Sequence, residues 1–291
     1  MWRRPLLLLP ALGVIGFFML APLGLMAYVS FLERGLNGGV EWGSHSVDAY
    51  IQFLFERDLD DSLLLNTDYL RIFLRSFTLS LTTTVLALLI GFPTALYMAL
   101  QTPRYRNLLV FMVTIPFWTN LLVRNYAWIL LLRNSGLINA GLQSLGVIDE
   151  PLILLNTPFA IGVGLTYSFL PFMVLPIYGS LEKLDRRLME AAFDLGANRR
   201  RVLTRVVIPL SAPGIVAGSV LVFIPCLGAY VTPELLGGGK ALMIGNLIQA
   251  QFGASRNWPF GAALAFVLLS LVLLAMMIYA WIFRRPPGAT A

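Results

Sequence analysis

The sequence has one cysteine and one histidine. Cys226 lies in an apolar run and has no possible partner within the chain, which excludes an internal disulfide. His45 stands alone among scattered carboxylates, which makes a poor metal site and leaves no Ser/His/Asp relay. Charge is also scarce. Only 12% of residues are charged and 58% are hydrophobic, whereas a soluble domain carries about 25% charged residues. No G-x-x-x-x-G-K-[ST] loop is present. Gly237-Gly238-Gly239-Lys240 is glycine-rich, but Ala241 follows the lysine. The chain is therefore expected to hold no catalytic residue, no metal site and no cofactor. Its apolar runs are almost free of carboxylates, whereas carriers driven by ion gradients place ionisable groups there. That scarcity argues for energy supplied by another subunit.

Long apolar runs are what the sequence does have. Trp2 to Phe31 starts with Arg3 and Arg4 and then stays apolar. It exceeds the about 7–15 apolar residues of a signal peptide and reaches the about 20 a bilayer needs. It reads as a retained first helix. Glu33 to Arg71 is polar and mostly acidic, with short helices expected around Val47 to Phe55. Phe73 to Leu100 is the second span, followed by a turn at Pro103-Arg104-Tyr105-Arg106. Leu108 to Leu132 is the third apolar region, interrupted by Pro116, Asn120 and Arg124-Asn125. Polar breaks at membrane depth are tolerated where backbone faces protein or a water-filled cavity. Pro158 to Leu181 is the fourth span, with Pro171 and Pro176 expected to bend it. Leu210 to Val231 is the fifth, and Pro259 to Phe283 the sixth. Asn134 to Thr157 and Pro233 to Trp258 read as external connections. The fold class expected is an all-α polytopic membrane protein with six transmembrane helices. By domain, residues 1–72 hold the first helix and the acidic loop, and residues 73–291 the five-helix core.

The net charge of +6 is not a nucleic-acid signature, because the basic residues cluster beside apolar runs. With an inside start, the cytoplasmic pieces hold Arg3, Arg4, Arg104, Arg106, Lys183, Arg186, Arg187, Arg199, Arg200, Arg201, Arg205, Arg284 and Arg285. The external loops hold most of the acids. That bias places both termini in the cytoplasm.

One charged segment separates spans four and five: LDRRLMEAAFDLGANRRRVLTRVVIP, Leu184 to Pro209. Leu184, Leu188, Ala191, Ala192 and Leu195 share one helical face. Asp185 is a fair N-cap, Gly196 suits a positive-φ C′ position, and Asn198 can cap a second helix. Helix, glycine turn, helix has the shape of an element that docks in a partner's groove. On pattern alone it equally fits an amphipathic helix lying on the membrane surface.

Glu190-Ala191-Ala192, then Gly196, then Val206-Val207-Ile208-Pro209 resembles the EAA loop of ABC-importer permeases. That loop reads E-A-A, three residues, G, nine residues, I-x-L-P; Val206 and Ile208 replace Ile and Leu. PFWTNLLVRNYAW (Pro116 to Trp128), LPFMVLPIY (Leu170 to Tyr178), PELLGGGKALMIGN (Pro233 to Asn246) and NWPFGAA (Asn257 to Ala263) resemble permeases of spermidine/putrescine importers. The resemblance implies a binding-protein-dependent importer of type I in the bacterial inner membrane. Its members pair with a homologous permease, two cytoplasmic ATPase subunits that bind ATP and Mg, and an external or periplasmic solute-binding protein. Glu190, Ala191, Ala192, Gly196 and Pro209 would then couple the chain to the ATPase. Polyamine systems of this type use two different permeases, which favours a heterodimer. Related permeases move other amines, opines, phosphonates or inorganic ions. A channel or gradient-coupled carrier is the reading from a different class.

Two aromatic and amide clusters flank the polar breaks. Trp118, Asn120 and Tyr126 form one; Tyr230 and Glu234 form the other. They read either as the aromatic belt at the membrane interface or as walls of a cation path, since aromatic faces attract ammonium groups. Arg124 reads as snorkelling, or pairing with a loop carboxylate, ahead of a direct role in transport.

Overall fold

A computed structural model describes residues 3–57 and 63–282, with side chains described over 10–55 and 64–277. The acidic Asp58, Asp60 and Asp61, and Arg284-Arg285 at the far end, lie outside the described residues.

The described elements are almost all helical. Five helices are long and apolar enough to cross a membrane, and a bent pair makes a sixth span when counted as one. The chain divides into two compact units. One comprises Met1–Arg71 with Leu247–Ala291, the other Ile72–Asn246.

In the first unit, α1 (Arg3–Ser30) ends in two short pairings, β1 (Glu33–Arg34) with β2 (Val40–Glu41), and β3 (Phe55–Arg57) with β4 (Leu63–Leu65), around the one-turn α2 (Asp48–Ile51). Phe17 and Phe18 of α1 are exposed, as suits a helix whose solvent is lipid. His45 lies edge-on against the Tyr28 ring, 5.9 Å between centroids. The Arg34 guanidinium donates to Ser255 O at 2.8 Å.

The second unit starts with α3 (Asp68–Leu100) and α4 (Pro103–Trp118), then α5 (Leu121–Leu132) and α6 (Leu137–Ser144). The expected turn at Pro103–Arg106 is the first turn of α4 instead. Proline is at home there, because the first helical N–H has no acceptor to lose. The span break falls three residues past Pro116, at Thr119, and α4 and α5 meet at 91°. Asn120 caps α5 by accepting from Leu122 N at 2.8 Å. Further on come α7 (Pro158–Leu181), α8 (Arg187–Asp194), α9 (Arg199–Val202), a π turn (Leu203–Val207), α10 (Ile208–Leu227) and α11 (Val231–Gly237). In the first unit, α12 (Ile244–Phe252) leads to α13 (Trp258–Ile282), which packs on α1. The glycine-rich Pro233–Trp258 connection is thus largely helical. Gly238 and Gly239, at φ 56° and 75°, form the turn between α11 and α12.

The centre of the second unit is α7 against α10. Met173, Val174 and Ile177 of α7 are buried with Val222 of α10 and Ala87, Ala95 and Met98 of α3. In lipid there is no hydrophobic drive between helices, so close backbone approach through small residues does the work. A Cβ on Gly214 would lie 2.5 Å from Pro176 O, and one on Gly218 3.0 Å from Met173 O.

Candidate functional site

The charged loop after α7 is built as its capping residues require. Asp185 Oδ1 accepts from Arg187 N at 3.0 Å, at the start of α8. Gly196 takes φ 78°. Its N–H donates to Phe193 O at 2.9 Å, and Ala197 N–H donates to Ala192 O at 3.0 Å. Those are the two bonds of a Schellman stop, which needs a left-handed residue at that point. Asn198 Oδ1 accepts from Arg201 N at 2.9 Å and starts α9.

The apolar stripe of α8 divides into two. Met189 and Ala192 pack inward with Ala197, Val202 and Val207. Leu184 faces a small cavity of about 60 Å³ beside Leu96, Ala99 and Met189. Leu188, Ala191 and Leu195 point outward. Leu195 is 89% exposed and Leu188 49%. Burying one such leucine fully is worth about 1.5–3 kcal/mol. The outward stripe is therefore a face that this chain leaves open, on a helix held firmly from behind.

Three polar contacts cluster where the loop leaves the spans. Arg186 Nη2 donates to Ala99 O at 2.8 Å. Ala99 lies in the last turn of α3, where carbonyls lack helical partners and the helix end is negative. Arg106, in the first turn of α4, pairs with Glu182 at 3.2 Å. The Tyr178 hydroxyl of α7 also bonds Glu182. Arg186 thus links the start of α8 to α3, while Glu182 links the end of α7 to α4. The sequence reading found the caps but not these ties; the ends of Arg186–Ala99 and Arg106–Glu182 lie far apart in the chain.

A second site lies where the α4–α5 span is broken and α10 ends. A cavity of about 420 Å³ is lined by Phe117, Arg124, Phe169, Phe172, Ser168 and Tyr230, with the Gly228-Ala229 turn closing one side. Phe117 and Phe172 rings stand 4.8 Å apart, and Phe169 is 6.2 Å from Phe172. The carbonyl end of α10 reaches this cavity at Gly228. Aromatic faces and a helix C-terminus together suit a cation.

Of the path residues named from sequence, Tyr230 lines this cavity. Its carbonyl accepts from Asn246 Nδ2 at 2.8 Å. Trp118 is 81% exposed and Tyr126 57%. Asn120 is engaged as the α5 cap. Glu234 is exposed in the first turn of α11. Phe169 and Phe172 were missed, although Phe172 sits in the LPFMVLPIY segment.

Five or six apolar spans, a capped loop with an open apolar face and a cavity at broken helices define a membrane transport component. Residues 69–286 match the family described as "Binding-protein-dependent transport system inner membrane component". The chain belongs to that family; it is a multi-pass inner-membrane transport subunit and not an enzyme. It is 41% identical over 264 residues to the spermidine/putrescine transport system permease protein PotB of Haemophilus influenzae, covering 90% of this chain and 88% of that one. To PotB of Escherichia coli it is 39% identical over 256 residues, covering 88% and 93%. The fold matches a chain of a bacterial alginate ABC transporter crystallised with its alginate-bound periplasmic protein. The TM-score is 0.69 at 19% identity, covering 100% of this chain and 96% of that one.

Proposed function

We propose that this chain is a permease subunit of an ATP-driven importer and forms part of the path for a polyamine across the inner membrane. The observation that carries the substrate class is near-full-length identity of about two residues in five to permeases named for spermidine and putrescine. The aromatic cavity supports it, since rings and helix-end carbonyls stabilise ammonium without binding it irreversibly. Energy comes from partner ATPase subunits that hold ATP and Mg. The open face of Leu188, Ala191 and Leu195 is the surface offered to them, with Glu190, Ala191, Ala192, Gly196 and Pro209 as the coupling residues. A second, homologous permease completes the path, and a solute-binding protein delivers cargo from outside. Both termini are cytoplasmic, as the distribution of arginines favours.

In this reading the cargo meets Trp118, Tyr126 and Glu234 before the cavity at Tyr230. Uptake of labelled putrescine and spermidine tests the route, with membrane levels matched. Each aromatic contact with an ammonium is worth about 0.5–2 kcal/mol, so Trp118→Ala, Tyr230→Ala and Glu234→Gln are each expected to lower uptake roughly two- to thirty-fold. Wild-type uptake by all three variants would reduce these residues to an interfacial belt and a loop carboxylate. Uptake of an anion or neutral solute, with no polyamine moved, would overturn the substrate while leaving the importer.

The ties behind α8 give a further expectation. Charged hydrogen bonds are worth about 1.5–3 kcal/mol when buried, and less for Arg186, which is exposed. Arg186→Ala is therefore expected to lower uptake roughly two- to ten-fold while the ATPase still co-purifies. ATP hydrolysis should then continue with less cargo moved per ATP. An unchanged ratio of transport to hydrolysis would show that the Arg186–Ala99 tie carries no motion.

A further inference from the structure

Arg124 is out of place in a cation path. It stands in the first turn of α5, where the helix end adds positive potential, and its guanidinium lines the aromatic cavity. Nε and Nη1 are shielded from solvent and find no acceptor among the described residues. The salt bridges formed among the described residues, Arg71–Asp68 and Arg106–Glu182, do not involve it. The rest of the cavity wall offers rings, apolar side chains and the hydroxyls of Ser168 and Thr232, but no carboxylate.

A guanidinium does not give up its proton in a protein. Unpaired at membrane depth it is costly, and such residues pair with other charged groups or with carbonyls. Its planar fork matches a carboxylate with two parallel bonds. No carboxylate among the described residues lies on this wall or pairs with Arg124, which points to an anion from another subunit. A polyamine cargo carries only amines, so it cannot supply one.

We infer that Arg124 is the receptor for an acidic side chain of the second permease subunit, and that this ion pair joins the two permeases across the cargo path. This rests on the polyamine importer reading above. The consequence is electrostatic. Paired, Arg124 leaves the cavity neutral and open to ammonium groups. Unpaired, it places a fixed cation where the cargo must pass and repels it. The exposed apolar residues Leu122 and Val123 of α5 adjoin Arg124 and give the partner helix its seat.

The test uses the complete importer: this chain, the second permease, the ATPase subunits and the binding protein. In one arm the cargo-free complex is solved to side-chain detail. An Asp or Glu of the second permease within about 4 Å of the Arg124 guanidinium is the expected result. A guanidinium bonded only to water, to a lipid phosphate or to this chain overturns the inference. In the other arm labelled putrescine uptake is measured. Arg124→Lys should keep part of the activity, because the charge remains. Arg124→Gln should lose at least about ten-fold, because a buried carboxylate is left alone. Arg124→Glu should lose all uptake, with the second permease falling off the purified complex. Full uptake by Arg124→Glu contradicts the pair. Should any variant fail to fold, the structural arm decides. A cargo carboxylate found on Arg124, with no polyamine imported by wild type, would overturn both this inference and the polyamine reading. Polyamine import with Arg124 bonded only to water overturns this inference alone.

Discussion

Gly196→Asp is expected to lower uptake sharply while the chain still inserts and reaches the membrane in normal amount. Gly196 ends α8 at φ 78°, and both Schellman bonds depend on that conformation. An L-residue with a Cβ pays roughly 1–2 kcal/mol there. The cost is local to the turn's own backbone, because a Cβ on Gly196 meets nothing beyond its chain neighbours within 4 Å. The open space is itself informative. No described residue occupies the ground beside the turn, and the aspartate charge is carried to the face assigned to the ATPase. Strain tilts α8 and the charge opposes docking, so the two effects combine at one surface. Gly196→Asn separates them. Asparagine tolerates the left-handed region and adds no charge, so it should retain most of the uptake. Uptake, immunoblotted membrane levels and ATPase co-elution together check the pair. Normal uptake by Gly196→Asp would remove the docking role of the loop.

Gly214→Leu is expected to act on the fold. A Cβ at Gly214 lies 2.5 Å from Pro176 O and Ser180 Oγ, and 2.9 Å from Ile177 Cα. Two of those atoms are backbone, so no rotamer change relieves the clash. Overpacking costs typically 1–3 kcal/mol and more when backbones must part, and here α7 and α10 would separate along the seam that orders the second unit. The variant should fail to accumulate, or be cleaved readily by protease in isolated membranes. Gly162→Ala is the control. It faces nothing within 4 Å, and alanine favours a helix interior by up to about 1 kcal/mol. Equal protease resistance for Gly214→Leu and wild type would contradict the α7–α10 packing.

Local rules made part of this legible. Asp185, Gly196 and Asn198 were assigned capping roles from residue type and spacing, and each makes the backbone bond that role requires. Pro158–Leu181 was bounded to the residue, because a proline at the start and a charged Glu182-Lys183 at the end mark it. Proline signals misled elsewhere. Pro116 sits within α4 and the break comes at Thr119, where Asn120 supplies a cap that Pro116 cannot. Pro103 read as a turn but begins α4. The π turn at Leu203–Val207 has no sequence signature, because it depends on how α9 and α10 are both anchored by Val202 and Val207. The Arg186–Ala99 bond spans 87 residues. A contact with a backbone carbonyl at that separation leaves no mark on composition or periodicity. The split of the α8 stripe is of the same kind. Leu184, Leu188, Ala191, Ala192 and Leu195 share one face by helical spacing, but only packing into the core cluster and beside Leu96 and Ala99 decides which of them turn inward.

The central claim is that ATP hydrolysed by a partner drives a polyamine through this chain. It is tested most directly by reconstituting the purified complex, with its binding protein, in liposomes without an ion gradient. Labelled putrescine is supplied on the binding-protein side, and ATP with Mg on the other. Accumulation that requires hydrolysable ATP, and that stops with Gly196→Asp, is the predicted result. Putrescine entry that proceeds without ATP, or that follows an imposed proton or sodium gradient, would contradict it.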